Sequence, residues 1–221
     1  MYPVTIVDNF FDDPDAIVRL SEEMEWRPTP EGKWPGARTE EVWAKNDRLF
    51  NYIGARIHGL FYEGNIDEWV MQMRFQKIFP FSEDKWNKKN RGWVHTDLYP
   101  FGGIIYLTKD PEPDTGTSIF KCKHGGSKIY GNEIQVKKDL YTGVSTLSQD
   151  EFDKVYDDVH DQYIETVRVE NVYNRLLLFG GNTLHGVRTY GTKERLTLNF
   201  FGEGVFDSER YTPFDRMRPI A

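Results

Sequence analysis

The sequence predicts a mainly β domain with flanking helices, an antiparallel sandwich or barrel whose helices pack outside. Three observations carry the prediction. Apolar residues recur at helical spacing in the first third, alternation at every second residue dominates from Trp69 onward, and turns rich in Gly and Pro separate the alternating stretches. With 221 residues, 38% of them hydrophobic and 15% aromatic, the chain suffices for one domain (1–221) with a substantial core.

The N-terminal part, 1–68, reads as helix and loop. Asp12-Asp-Pro-Asp15 starts a helix through acidic caps and a proline near the first helical position, and Ala16, Ile17, Leu20 and Met24 follow on one face until Pro28 and Pro30 close it. Glu31 to Thr39 reads as a loop carrying an exposed Trp34 and Arg38, and Trp34–Arg38 is a candidate pocket cover. Asn46 or Asp47 caps a second helix with an apolar stripe of Leu49, Phe50, Ile53, Ile57 and Leu60. The expected barrel core, 69–201, opens with Trp69–Gln76 and continues with short strands at Gly92–Asp97, Gly103–Thr108, Thr115–Phe120, Ile164–Val169, Asn174–Phe179 and Arg195–Phe201. Residues 121–163 interrupt the rhythm and read as an insertion ending in a short helix, because Ser148-Gln-Asp-Glu151 forms a capping box ahead of Phe152, Val155, Tyr156 and Val159. Residues 202–221 are left as a C-terminal tail.

Composition narrows the function. The net charge of -7 argues against broad phosphate-backbone binding, so nucleic acid is not an expected partner. No apolar run approaches the roughly 18 residues of a membrane span, and the opening residues lack the pattern of a secretion signal. The single cysteine, Cys122, excludes an internal disulfide and fits a reducing, cytoplasmic compartment. Two basic stretches, Lys85–Arg91 and Lys121–Lys128, are expected near the pocket mouth as solvated loops.

Among five histidines, only His95 has a carboxylate two residues on, Asp97. On a strand, i and i+2 share a face and can reach one metal. His185, just after the apolar run Leu176–Phe179, supplies a second imidazole. Two imidazoles and a carboxylate suit a non-haem Fe(II) triad, and zinc accepts the same donors. Arg195 shares a strand face with Thr197 and Asn199, while Leu196, Leu198 and Phe200 take the other. An inward arginine is costly unless it meets an anion, and its fork suits a carboxylate, which points to a dicarboxylate co-substrate. His58 reads as a surface or satisfied core residue, His160 as solvated, and His124 as a candidate for the mouth.

With these residues in place the sequence resembles the Fe(II)/2-oxoglutarate-dependent dioxygenases, in particular their prolyl-4-hydroxylase-like branch, over roughly Trp69 to Phe201. His95-Thr-Asp97 looks like the family's His-x-Asp, His185 like its distal histidine, Arg195 like its oxoglutarate arginine, and Thr197 falls in its Arg-x-Ser/Thr position. The resemblance implies a double-stranded β-helix, a jelly-roll barrel related to cupins. It further implies Fe(II) held by His95, Asp97 and His185, with 2-oxoglutarate and O2 as co-substrates and ascorbate as a candidate reductant. Tyr106 would donate to the distal carboxylate of oxoglutarate. The expected activity is hydroxylation of an unactivated C–H bond of a peptidyl residue or small molecule, with succinate and CO2 as products. Asp97 favours hydroxylation over chlorination, since halogenases of this family carry a small residue there. The family's acidic-Gly-Gly-Glu-Thr strand is degraded here to Asp114-Thr-Gly-Thr-Ser118, and the insertion has no family counterpart. The competing expectations are a non-catalytic barrel acting as a binding module, which would lack stoichiometric iron, and a nucleic-acid oxidative demethylase.

Overall fold

The computed structural model describes residues 4–60, 68–125 and 132–206. Helix α1 (Pro14–Glu22) begins as its sequence dictates: Pro14 occupies the first turn and the Asp13 carboxylate accepts from the Ala16 amide at 2.9 Å. It ends well before Pro28. Helix α3 (Asp47–Gly59) is capped by Asn46, and a short helix α2 (Val42–Lys45) precedes it. Ile53 and Ile57 are fully buried, whereas Leu60, expected in the same stripe, is 40% exposed because the helix has already ended.

The N-terminal part is more than helix and loop. It supplies strands β1 (Val4–Val7), β2 (Trp26–Pro28) and β3 (Ala37–Thr39). Strands β4 (Glu68–Ile78), β5 (Phe101–Tyr106), β6 (Thr117–Cys122), β7 (Tyr163–Val169), β8 (Leu176–Gly180), β9 (His185–Val187) and β10 (Arg195–Phe206) follow. They form a seven-stranded sheet, β1-β8-β5-β10-β4-β3-β2, and a three-stranded sheet, β7-β6-β9, paired antiparallel throughout. β10 continues to Phe206, past the expected end of the core at 201, because β4 pairs with it as far as Glu68. Of the expected tail, 207–221 lies outside the described residues.

Period-two patterning then decides what faces where. Met71, Met73 and Phe75 of β4 and Leu196, Leu198 and Phe200 of β10 pack on Ile17 of α1 and Ile53 and Ile57 of α3, so the helices cover the outer face of the large sheet. Between the sheets, Tyr106, Ile119, Val169, Leu177 and Phe179 form a smaller core. The polar residues of β4 and β10 are thereby turned inward.

The insertion holds two helices where one was expected. α5 (Gln149–His160) carries the capping box, with Ser148 and Glu151 satisfying each other's backbone amides. α4 (Glu133–Thr142) precedes it and ends on Gly143 in a left-handed conformation. Trp93, Leu140, Tyr141, Phe152, Tyr156 and Val159 make their common core, which anchors the insertion beside His95. α4 also packs on the 3-10 turn Pro30–Gly32, so closely that a Cβ at Gly32 would lie 2.6 Å from the Lys138 backbone. His160, expected to be solvated, is packed here. It stacks on Tyr156 at 3.6 Å between centroids, its Nε2 accepts from the Val94 amide at 3.3 Å, and burial lowers its pKa to about 4.

Candidate metal centre

The segment holding His95 and Asp97 is not the regular strand expected over Gly92–Asp97. It runs beside β9 with one isolated bridge, in which His95 and His185 exchange backbone hydrogen bonds of 2.9 Å each. The Gly92 amide donates to Val187 and the Asp97 amide to Gly181, both at 2.8 Å. Gly181 permits this crossing: a Cβ there would stand 1.6 Å from the Tyr99 carbonyl oxygen. No regular ladder forms between the two segments, yet the three side chains still converge.

Each histidine is aimed by a carbonyl. His95 Nδ1 lies 2.8 Å from Trp93 O and His185 Nδ1 lies 2.9 Å from Thr183 O. With Nδ1–H donating to those oxygens, both Nε2 lone pairs are left for a ligand, which is how second-sphere contacts orient metal-binding imidazoles. The Nε2 atoms stand 3.9 Å (His95) and 3.6 Å (His185) from the Asp97 carboxylate, and one ligand atom from each of the three lies within 4.8 Å of the others. Burial lowers the pKa of both imidazoles, and a proton on His185 would lower His95 further, so both are neutral and competent to ligate. Burial raises the Asp97 carboxyl, against the pull of His185, Arg38 and Lys137. The donor set fits a divalent metal such as iron or zinc.

A cavity of about 400 Å³ opens from this triad, and Arg195 lies on its wall. Arg195 is only 3% exposed; its Nε donates to Thr115 O at 2.9 Å, and its buried Nη2 has no hydrogen-bond partner. A buried guanidinium with an unfilled donor calls for an anion. Thr197 is fully buried with its Oγ1 unpartnered. Tyr106, its cross-strand neighbour, donates to Thr117 Oγ1 at 2.9 Å, and burial raises its pKa, keeping the phenol protonated. Neither Tyr106 nor Thr197 is among the residues lining the cavity, whereas Thr117 is. Tyr141 and Tyr190, which sequence reasoning missed, bring their hydroxyls to 3.1 Å of each other on the same wall. Burial pushes the Tyr190 phenol up to about 12.

The Trp34–Arg38 segment also lines the cavity, and part of it is β3 rather than loop. The Arg38 guanidinium covers the Trp34 ring at 4.4 Å, and its Nε and Nη2 donate to Gln76 Oε1 at 3.3 and 3.2 Å. Gln76 is held in turn by Pro35 O, which accepts from its Nε2 at 2.8 Å, and by Asn199 Nδ2, which donates to its Oε1. From the far side of the sequence, α4 contributes Lys137. No apolar stripe marks α4, whose Ile134 is exposed, so neither the helix nor its lysine carried a readable signal.

The remaining candidates stand elsewhere. His58 is buried against Trp69 and Phe101 behind the large sheet. His124 is exposed and away from the wall, and Cys122 is half-buried and free; residues 126–128 of that basic stretch lie outside the described residues. In Lys85–Arg91, Lys88 pairs with Asp153 and Asp157 and Lys85 with Asp114, while the charges of Lys89 and Arg91 lie over the Phe152 and Tyr156 rings. Among the described residues no helix is long and apolar enough to cross a membrane.

Solved structures share this architecture. HygX from Streptomyces hygroscopicus, with nickel and 2-oxoglutarate bound, matches at TM-score 0.54 and 13% identity, over 95% of this chain and 86% of its own. An oxidoreductase of the 2OG-Fe(II) oxygenase family from Burkholderia pseudomallei matches at 0.50 and 12%, over 94% and 88%. A prolyl hydroxylase from Trichoplax adhaerens, in complex with a hypoxia inducible factor peptide fragment, matches at 0.50 and 10%, over 90% and 83%. At these identities the likeness is one of fold: the chain has the jelly-roll double-stranded β-helix of the 2OG-Fe(II) oxygenases. No curated protein matches the sequence. A family model described as a family of unknown function (DUF6445) matches residues 1–201.

Proposed function

The chain belongs to the DUF6445 family of unknown function, and from that premise we propose that it is an Fe(II)- and 2-oxoglutarate-dependent dioxygenase, a hydroxylase acting on a small molecule or peptidyl residue. One observation carries the reading: His95, Asp97 and His185 converge at one point of a cavity on whose wall the buried Arg195 keeps a donor unpartnered. Structures with this fold are known with nickel and 2-oxoglutarate or with iron bound.

In this reading His95, Asp97 and His185 hold the metal, and Arg195 holds the distal carboxylate of 2-oxoglutarate with Thr197 beside it. Bound together, iron and oxoacid supply the oxidising chemistry, in which dioxygen and 2-oxoglutarate become succinate, carbon dioxide and the hydroxyl group of the product. The chain's own contribution is orientation and shielding. Trp93 O and Thr183 O fix the imidazole tautomers, Thr115 O fixes the guanidinium, and Thr117 links Tyr106 to the wall. Phe179, 4.3 Å from His185 between ring centroids, keeps water from the buried side of that ligand.

The test is anaerobic titration with Fe(II) and 2-oxoglutarate, watched for the visible charge-transfer band of the chelate. The parent should show the band and form succinate in air. Asp97→Ala should weaken metal binding by about a hundredfold or more, because a charged ligand is removed. Arg195→Met should keep the metal and weaken 2-oxoglutarate binding by roughly a hundredfold. A parent with no band and no succinate ends the oxygenase reading.

A further inference from the structure

Among the described residues the cavity wall carries five basic side chains, Lys33, Arg38, Arg74, Lys137 and Arg195, against a single carboxylate, Asp97. Two of the five are matched: Arg74 meets Glu41 at 2.8 Å and Lys33 meets Glu31 at 3.6 Å. Arg195 is assigned above to 2-oxoglutarate. Arg38 and Lys137 remain, and neither has an ion-pair partner among the described residues.

Arg38 is fixed in that state. Trp34 supports one face of its guanidinium, and Gln76, a neutral amide braced by Pro35 O and Asn199, accepts from only one edge. Desolvation and the nearby charge of Arg74 bring Arg38 down to about 10, and desolvation lowers Lys137 as well. Both charges are thus held where positive charge is disfavoured, a cost that an incoming anion relieves. Asp97 attracts both, but a metal ligand cannot also serve as their counter-ion without losing strength in one role.

We propose that Arg38 and Lys137 form an anion-recognition subsite beside the triad, and that the molecule oxidised is a small organic acid whose carboxylate they bind. The fork of Arg38 suits a planar carboxylate. The apolar body of such an acid would lie along Trp34 and the Tyr99–Phe201 pair, whose rings are 5.1 Å apart. A cavity of about 400 Å³ shared with 2-oxoglutarate suits a small acid better than a polypeptide. The identity of this acid as substrate rests on the oxygenase reading; the subsite itself does not.

Calorimetric titration of metal-free Arg195→Met protein tests it, with benzoate as the probe and benzamide as its neutral isostere, at fixed ionic strength. Silencing Arg195 removes the competing anion site. Benzoate should bind at least about tenfold more tightly than benzamide. Adding Arg38→Gln or Lys137→Gln should each weaken benzoate about tenfold and leave benzamide unchanged, while Arg38→Lys should retain part of the preference. Thermal unfolding confirms that the variants fold, and should Arg38→Gln fail to do so, Lys137→Gln alone decides. No benzoate binding, equal binding of the two probes, or a preference that survives both glutamine changes overturns the proposal. A missing charge-transfer band in the parent would sink the oxygenase reading while leaving benzoate binding in place, so the two failures are distinguishable.

Discussion

Two carbonyl oxygens decide what the triad histidines can do. Trp93 O and Thr183 O each lie two residues before the imidazole they orient, and the backbone seam between His95 and His185 sets the separation of the rings. That seam depends on Gly181. Gly181→Ala must displace either Tyr99 or the turn before His185, so metal affinity should fall at least about tenfold, beyond what the change in stability explains. Metal titration beside an unfolding curve checks this, and a parent-like affinity would show that the seam does not govern the triad. His95, Asp97, His185 and Arg195 were legible in the sequence because spacing and parity singled them out, although the parity argument assumed a strand where the structure has one bridge. Arg38 was expected only as part of a covering loop, and Lys137, Thr117 and Tyr190 were not assigned a role at the site. They are lone residues from separate segments, and only tertiary packing makes neighbours of them.

At the scale of elements, legibility followed length and chemistry. β4 and β10 are long enough for alternation to show, and the ends of α1, α3 and α5 carry side-chain caps written in the sequence. β1, β2 and β3 have only three or four residues each, too few for a period, and exist because β8 offers an edge to β1, β4 to β3, and β3 in turn to β2. The insertion matters to the site through its core. Phe152 is fully buried and meets Trp93 edge-to-face at 6.1 Å, two residues from His95. Phe152→Ala should destabilise the insertion by roughly 3–5 kcal/mol and weaken metal binding through the freed Trp93. Hydrogen exchange should show faster opening confined to α4 and α5, while protection lost uniformly across both sheets would contradict that picture.

For the whole molecule, burial of histidine predicts an acid limit to stability. Burial alone depresses His58 to about 4 from 6.5, and His160 falls to about 4 as well. The folded state therefore resists a proton that the unfolded chain accepts. The contribution of these two groups is complete above about pH 6.5, declines as pH drops toward 4, and levels off below that, with His58 accounting for on the order of 3 kcal/mol. His58→Phe keeps an aromatic ring beside Trp69 and Phe101 and should make the decline in denaturation midpoint over that window shallower. An unchanged slope would place the acid sensitivity elsewhere. The seating of Gly32 against Lys138 bears on how such a chain changes over time. That contact joins two stretches separated by about a hundred residues of sequence, so neither can be trimmed alone. A relative that discards the insertion must also rebuild residues 30–38, and one that keeps both inherits the same joint.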